Sequence, residues 1–150
     1  MKYFGYGTLL ALENMQKVAP SASVDGYMRL DGYELGFGHC SHEGTFGCTL
    51  IEKAGAVTYG VQFDMSDDDM ATLDKAAHVP EQQWVHKSIT LIDEAGNEVV
   101  SSTYHIPGEY KHWQPTDAYV APIYAGLEIC PFPDDYKAFL KKLIVTAQNA

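Results

Sequence analysis

Gly5-Tyr6-Gly7-Thr8 is the stretch of this sequence best equipped to meet a ligand. It follows Lys2-Tyr3-Phe4, which reads as a short aromatic strand, and precedes a helical pattern for which Thr8 is the expected N-cap. Glycines on both sides of Tyr6 let the backbone bend and come close to another group. Strand, turn and helix start together aim several backbone N–H groups at one spot. Such a nest suits a carboxylate or a developing oxyanion. An ordinary tight turn has the same local pattern, so the stretch alone does not choose between the two readings.

Other chemistries find less support. His39-Cys40-Ser41-His42-Glu43-Gly44 is polar and reads as a loop. Its two histidines, thiol and carboxylate share no fixed face, and no second ligand pair stands elsewhere, so no metal is expected there. A pocket-lining or solvated loop is the better reading. His39, His42, His78, His86, His105 and His112 are scattered, without the order or context of a hydrolase triad. Gly5-Tyr6-Gly7 lacks the third glycine and acidic partner of a dinucleotide site. No cofactor is implied.

The elements that must position the glycine-flanked turn follow from periodicity. Leu9, Leu12, Met15 and Gln16 predict a short helix ended by Pro20 and Ser21. Ser23 to Phe37 alternates like a strand, with a tight turn expected at Asp31-Gly32. Cys48–Glu52 and Val57–Met65 predict two strands joined by Lys53-Ala54-Gly55. Ser66 to Ala77 predicts a helix: Ser66 caps it, Asp67 to Asp69 suit its positive end, and Asp69 takes the capping-box place. Trp84–Ile92 and Val99–Ile106 predict a hairpin, and Pro133–Ala147 a final amphipathic helix. Residues 107–122 show no period and read as a long loop, a candidate lid.

Composition narrows the class. At 150 residues, 46% hydrophobic and 20% charged, the chain is expected to be one domain, residues 1–150, with a real core. A net charge of −10 with no basic patch argues against nucleic acid and anionic membrane surfaces. Three cysteines without a paired motif, and no signal peptide, predict a reduced, cytoplasmic chain. Oligomeric state is not legible.

Three stretches carry a family resemblance. "YFGYGTLL" resembles the Tyr-Gly-Ser-(Asn/Leu)-Leu signature of the γ-glutamylcyclotransferase-like (AIG2-like, BtrG-like) family, with Thr8 in place of Ser. "YGVQFDMSDDDMATLDKAAHVP" resembles the family's Gly-Val-x-(Tyr/Trp)-x-(Leu/Met)-(Ser/Asn)…Leu-Asp-x-x-Glu-Gly-Val, and "PFPDDYKAFLKKL" its Leu-Pro-x-x-Tyr-x-x-x-Leu ending. The resemblance implies an α+β fold, a small mixed β-barrel with helices around it. It also implies release of 5-oxoproline from γ-glutamyl amines or peptides, an intramolecular cyclisation of transferase or lyase type. The glutamyl α-amine attacks its own γ-carbonyl, which needs a hold on the substrate, oxyanion stabilisation and a base.

One departure matters: the family's catalytic Glu-Gly falls on Ala77-His78. Tyr6, Gly7, Thr8, Leu9 and Trp84 are therefore the expected substrate-binding residues. The acid/base role is expected to move to Glu81 first, His78 second, with Glu43 a further candidate; each also reads as an ordinary surface residue. The alternative is a non-catalytic binding or regulatory member that takes a small amino-acid-like ligand in the same pocket. A third reading is a different reaction on the same fold.

Overall fold

A computed structural model describes residues 1–150. In chain order its elements are β1 (Lys2–Gly5), α1 (Leu12–Val18), β2 (Ser23–His39), β3 (Phe46–Asp64), α2 (Asp67–Ala76), β4 (Val85–Ile92), β5 (Glu98–His105), α3 (Asp117–Ile129) and α4 (Asp134–Gln148). The fold is α+β: one five-stranded sheet, ordered β1-β3-β2-β4-β5, with four helices. Every pairing in it is antiparallel, so the sheet is not mixed.

Its backbone is a long hairpin, β2 against β3, where four shorter strands were expected. The breaks expected at Asp31-Gly32 and Lys53-Ala54-Gly55 lie opposite each other, between the pairs Asp31↔Val57 and Tyr33↔Glu52. Gly32 and Gly55 do adopt the left-handed backbone, with φ of 83° and 81°. Each nevertheless kinks a continuous strand instead of reversing it. Local turn chemistry marks the interruption but not the direction in which the chain leaves it.

The sheet is also not a closed barrel. β2 joins β4 through a single ladder pair, Arg29↔Ile92. At the other seam β1 and β5 meet without a backbone ladder, because side chains occupy the carbonyls. Thr103 donates to the Phe4 carbonyl at 2.6 Å, Ser102 to that of Lys2 at 3.1 Å, and the Tyr6 hydroxyl to that of Tyr104 at 2.8 Å. Hydroxyls thus hold the two edges together where a barrel would use amides.

Helix α2 forms as its cap predicts: the Ser66 hydroxyl accepts from the Asp69 amide at 3.1 Å. Asp69 does not complete a capping box; its carboxylate accepts the Ser21 amide at 2.7 Å and ties α2 to the end of the α1 segment. The expected loop over residues 107–122 is shorter than the sequence suggests. Thr116 caps α3, accepting from the Tyr119 amide at 3.2 Å, and Pro122 sits inside the helix. Burial of Val120, Ile123 and Leu127 offsets the hydrogen bond that this proline forfeits. The remaining loop is pinned, not a lid. Its Lys111 carbonyl accepts from His39 N–H and its Trp113 amide donates to Phe37 O, both at 2.8 Å. Trp113 also stacks on Phe46 with ring centroids 4.1 Å apart.

Beneath these elements 31 buried residues form one apolar cluster, with Phe4, Phe37, Phe63, Ile123, Leu140 and Ile144 almost wholly removed from water. None of the helices is long and apolar enough to cross a membrane.

Candidate functional site

β1 ends at Gly5, and the chain does not enter a helix until Leu12. The N-cap of α1 is Ala11, without a side-chain hydrogen bond, so Thr8 does not cap it. Residues 6–9 instead form the wall of a cavity of about 230 Å³. Across from them stand Leu73, Ala76 and Ala77 at the end of α2, and Trp84 just before β4. Tyr3, Cys48, Tyr104 and Tyr119 complete the lining, along with Phe46 and Val18. Two segments far apart in sequence, Tyr6–Leu9 and Ala77–Trp84, therefore share one cavity.

The loop's polar capacity lies in its backbone. The amides of Tyr6, Gly7 and Leu9 donate to no other group of the protein, and the Thr8 amide interacts only with the Cys48 thiol. Amides without partners beside a cavity are the arrangement that anions exploit. Gly7 is required here by space, not by φ. A Cβ at this position would stand 2.7 Å from the Cys48 sulfur.

No ionised side chain lines the cavity. Its titratable groups are tyrosines and a thiol, and burial keeps all of them protonated. Burial pushes the Cys48 thiol up to about 12, which rules it out as a nucleophile near neutral pH. Burial also raises Tyr3, Tyr6, Tyr104 and Tyr119 above the usual phenol range. The Tyr119 hydroxyl accepts the Cys48 amide at 2.8 Å, and Trp84 Nε1 donates to the Cys48 carbonyl at 2.9 Å. Trp84 is thus both a cavity wall and a clamp on β3.

Of the expected site residues, Tyr6, Gly7, Thr8, Leu9 and Trp84 are brought together in this lining. Glu81 and His78 are not part of it. Both side chains are more than half exposed and pair with each other at 3.9 Å. Glu43 is likewise exposed, on the β2–β3 turn. His78 has φ of 54° and Gln82 of 59°, conformations that side chains usually avoid. Buried Gln83 fixes this turn from below: its carbonyl accepts the His42 amide at 2.7 Å, and its amide donates to Ser41 Oγ at 3.0 Å and to the Glu81 carbonyl at 2.9 Å. No three of the chain's His, Cys, Asp or Glu side chains gather where they could hold a metal ion.

Sequence reasoning missed Tyr3, Tyr104, Tyr119 and the carboxylate behind them. Asp74 accepts a short hydrogen bond from the Tyr104 hydroxyl and lies 2.8 Å from His86 Nε2. Alternation in β5 marks Tyr104 as inward-facing, but no local signal tells that its hydroxyl reaches a carboxylate on α2.

A family model described as the AIG2-like family matches residues 57–140, more than half of the sequence. The chain belongs to the AIG2-like family. Among characterised proteins it is similar to the γ-glutamylcyclotransferases of Bos taurus and Homo sapiens, at 26% and 25% identity over 148 residues, covering 94% of this chain and 77% of each relative. A solved structure of γ-glutamyl cyclotransferase superposes with a TM-score of 0.86 at 25% identity, covering 93% of this chain and 85% of that one. YkqA from Bacillus subtilis, at 19% identity and a TM-score of 0.79, shares the fold over 96% of this chain and 54% of its own. The AIG2-like match spans the Ala77–Trp84 turn, Tyr104 and Tyr119.

Proposed function

We propose that the cavity takes a γ-glutamyl amine or peptide and closes its glutamyl part to 5-oxoproline, releasing the amine. The observation that carries this reading is the set of unpartnered amides at Tyr6, Gly7 and Leu9, in a cavity whose opposite wall holds Ala77. Those amides are suited to the substrate carboxylate or to the tetrahedral oxyanion, which backbone dipoles stabilise at no cost in reorganisation. The tyrosine-rich remainder is neutral, so it neither repels an anion nor competes for the amides. The names of the relatives, γ-glutamylcyclotransferase, support the same substrate class.

Ala77 supplies no base, so on this reading the proton goes elsewhere. Sequence favours Glu81 and then His78; with both side chains directed at solvent, they serve only if the 78–83 turn rearranges. A second reading keeps the pocket and drops the reaction: a small amino-acid-like ligand is bound and not turned over. The lack of any ionised side chain in the lining favours it. On either reading the ligand is a small molecule, no cofactor is needed, and residues 1–150 act as one domain. Neither nucleic acid nor a membrane is a partner. Three unpaired, buried cysteines suit a reducing, cytoplasmic setting.

The test is 5-oxoproline formation from a panel of γ-glutamyl amines and dipeptides, run beside calorimetric binding of the same compounds. Saturable release supports the cyclotransferase reading. Binding without release supports the second reading, and neither binding nor release overturns both.

A further inference from the structure

Resting on the cyclotransferase reading, we infer that Tyr104 is the catalytic acid/base of this cavity and that Asp74, held by His86, is the proton acceptor behind it. Tyr104 is the only residue that both lines the cavity and hydrogen-bonds a carboxylate. Its hydroxyl donates to Asp74 Oδ1, and the same oxygen lies 2.8 Å from His86 Nε2. Three elements meet at this point: α2 brings Asp74, β4 His86 and β5 Tyr104. The ring of His86 packs 5.1 Å from that of Tyr104, whose other neighbour is Tyr3 of β1, also at 5.1 Å. The Tyr104 backbone is fixed to the amide-bearing loop, since its carbonyl accepts the Tyr6 hydroxyl. The chain of groups therefore runs from the cavity, through a buried phenol, to a half-buried carboxylate and an exposed imidazole.

The chemistry balances within the substrate and this pair. One N–H bond of the substrate ammonium breaks as its proton passes to the Tyr104 oxygen, while the phenolic proton passes to Asp74 Oδ1. The freed amine lone pair forms the new C–N bond at the γ-carbonyl carbon, and the carbonyl π electrons move to the oxyanion beside the loop amides. On collapse, the old C–N bond to the leaving amine breaks. The Tyr104 proton goes to that amine and Asp74 returns its own to Tyr104; the ring nitrogen gives its second proton to the departing amine, which leaves as an ammonium beside the neutral lactam. No oxidant, metal or further reactant enters. A tyrosine that stays protonated suits this role, because it carries a proton in each direction without resting as a phenolate. His86 is a positioning residue: its Nε2, 2.8 Å from Asp74 Oδ1, keeps the carboxylate oxygen on the line to Tyr104.

The experiment compares the natural chain with Tyr104→Phe, Asp74→Asn and His86→Gln by kcat and KM for 5-oxoproline release from a γ-glutamyl amine. Circular dichroism and thermal melts check the fold. Tyr104→Phe keeps the ring stacking and Asp74→Asn keeps the shape of the carboxylate, so both variants are expected to fold. The expected result is a fall in kcat of about 10²-fold or more for both, with KM little changed, as for loss of a general acid/base. His86→Gln, which keeps a donor, is expected to fall less and to shift the pH profile of kcat. Turnover by the natural chain that survives in Tyr104→Phe and Asp74→Asn would overturn the relay and leave the cyclotransferase reading standing. Absence of turnover in the natural chain overturns both. Loss of kcat in step with loss of folded protein in both variants would assign the cluster a structural role only.

Discussion

The two walls of the cavity work by different means. On one side Tyr6–Leu9 offers backbone amides, set by the end of β1 and by the closeness of Gly7 to Cys48. On the other the Ala77–Trp84 turn offers side chains: a methyl at Ala77, an indole at Trp84, and the polar groups of His78 and Glu81 outside the lining. The first wall depends on backbone path and not on which side chain stands at Thr8. The second depends on identity: the methyl of Ala77, where the resemblance implies a glutamate, can neither give nor take a proton. His78 holds a left-handed backbone, with φ of 54°, that a glycine would adopt without strain. Binding written in the backbone is robust to sequence drift, whereas acid/base chemistry written in side chains is not.

Breaking the backbone wall is expected to have the largest effect. Gly7→Ala puts a Cβ 2.7 Å from the Cys48 sulfur and 3.1 Å from its Cβ. Cys48 is buried and short, so it has nowhere to swing. The expected outcome is a loss of about 1–3 kcal/mol in chemical denaturation, as for an overpacked core, together with loss of ligand binding by calorimetry. Adding Cys48→Ala makes room and is expected to restore part of both. Wild-type stability and binding in Gly7→Ala would show that the loop is not held as described.

Restoring the side-chain wall comes next. Ala77→Glu places a carboxylate in the lining and leaves the sequence of the loop unchanged. Release of 5-oxoproline is expected to rise about 10–10²-fold, the lower part of what a positioned base contributes, because the natural chain already has the longer path through Tyr104. His78→Gly is expected to raise stability by about 1 kcal/mol by relieving the left-handed backbone, with catalysis unchanged; a thermal melt decides. Smallest of all, Glu81→Gln changes an exposed side chain and is expected to move stability by about 0.5 kcal/mol or less. A collapse of turnover in Glu81→Gln would return the base to that residue and weaken the contrast between the walls.

Much of this was legible in the sequence, and what was missed shares a cause. The Ser66 cap, the hairpin of Trp84–Ile92 with Val99–Ile106 and the glycine-flanked loop are local statements, and local chemistry predicted them. In the turn, the Asp93 carboxylate accepts the amides of Ala95 at 3.0 Å and Asn97 at 2.8 Å. Thr8 misled because a good capping residue followed by an apolar pattern does not say on which residue the helix starts. Gly32 and Gly55 misled because a left-handed glycine serves a bulge as well as a turn. Pro122 hid α3, since tertiary burial overrode a local prohibition. The seam between β1 and β5 and the Asp74–Tyr104–His86 cluster depend on how distant strands approach, which periodicity does not carry. The cavity's membership was legible only through the resemblance, which places Tyr6–Leu9 and Ala77 in one site.

The most direct test is the initial rate of 5-oxoproline release from a γ-glutamyl amine, measured for the natural chain and for Ala77→Glu side by side. The account predicts slow, saturable release by the natural chain and faster release by the variant at similar KM. No release from either protein, with no binding of the substrate to either, would contradict it.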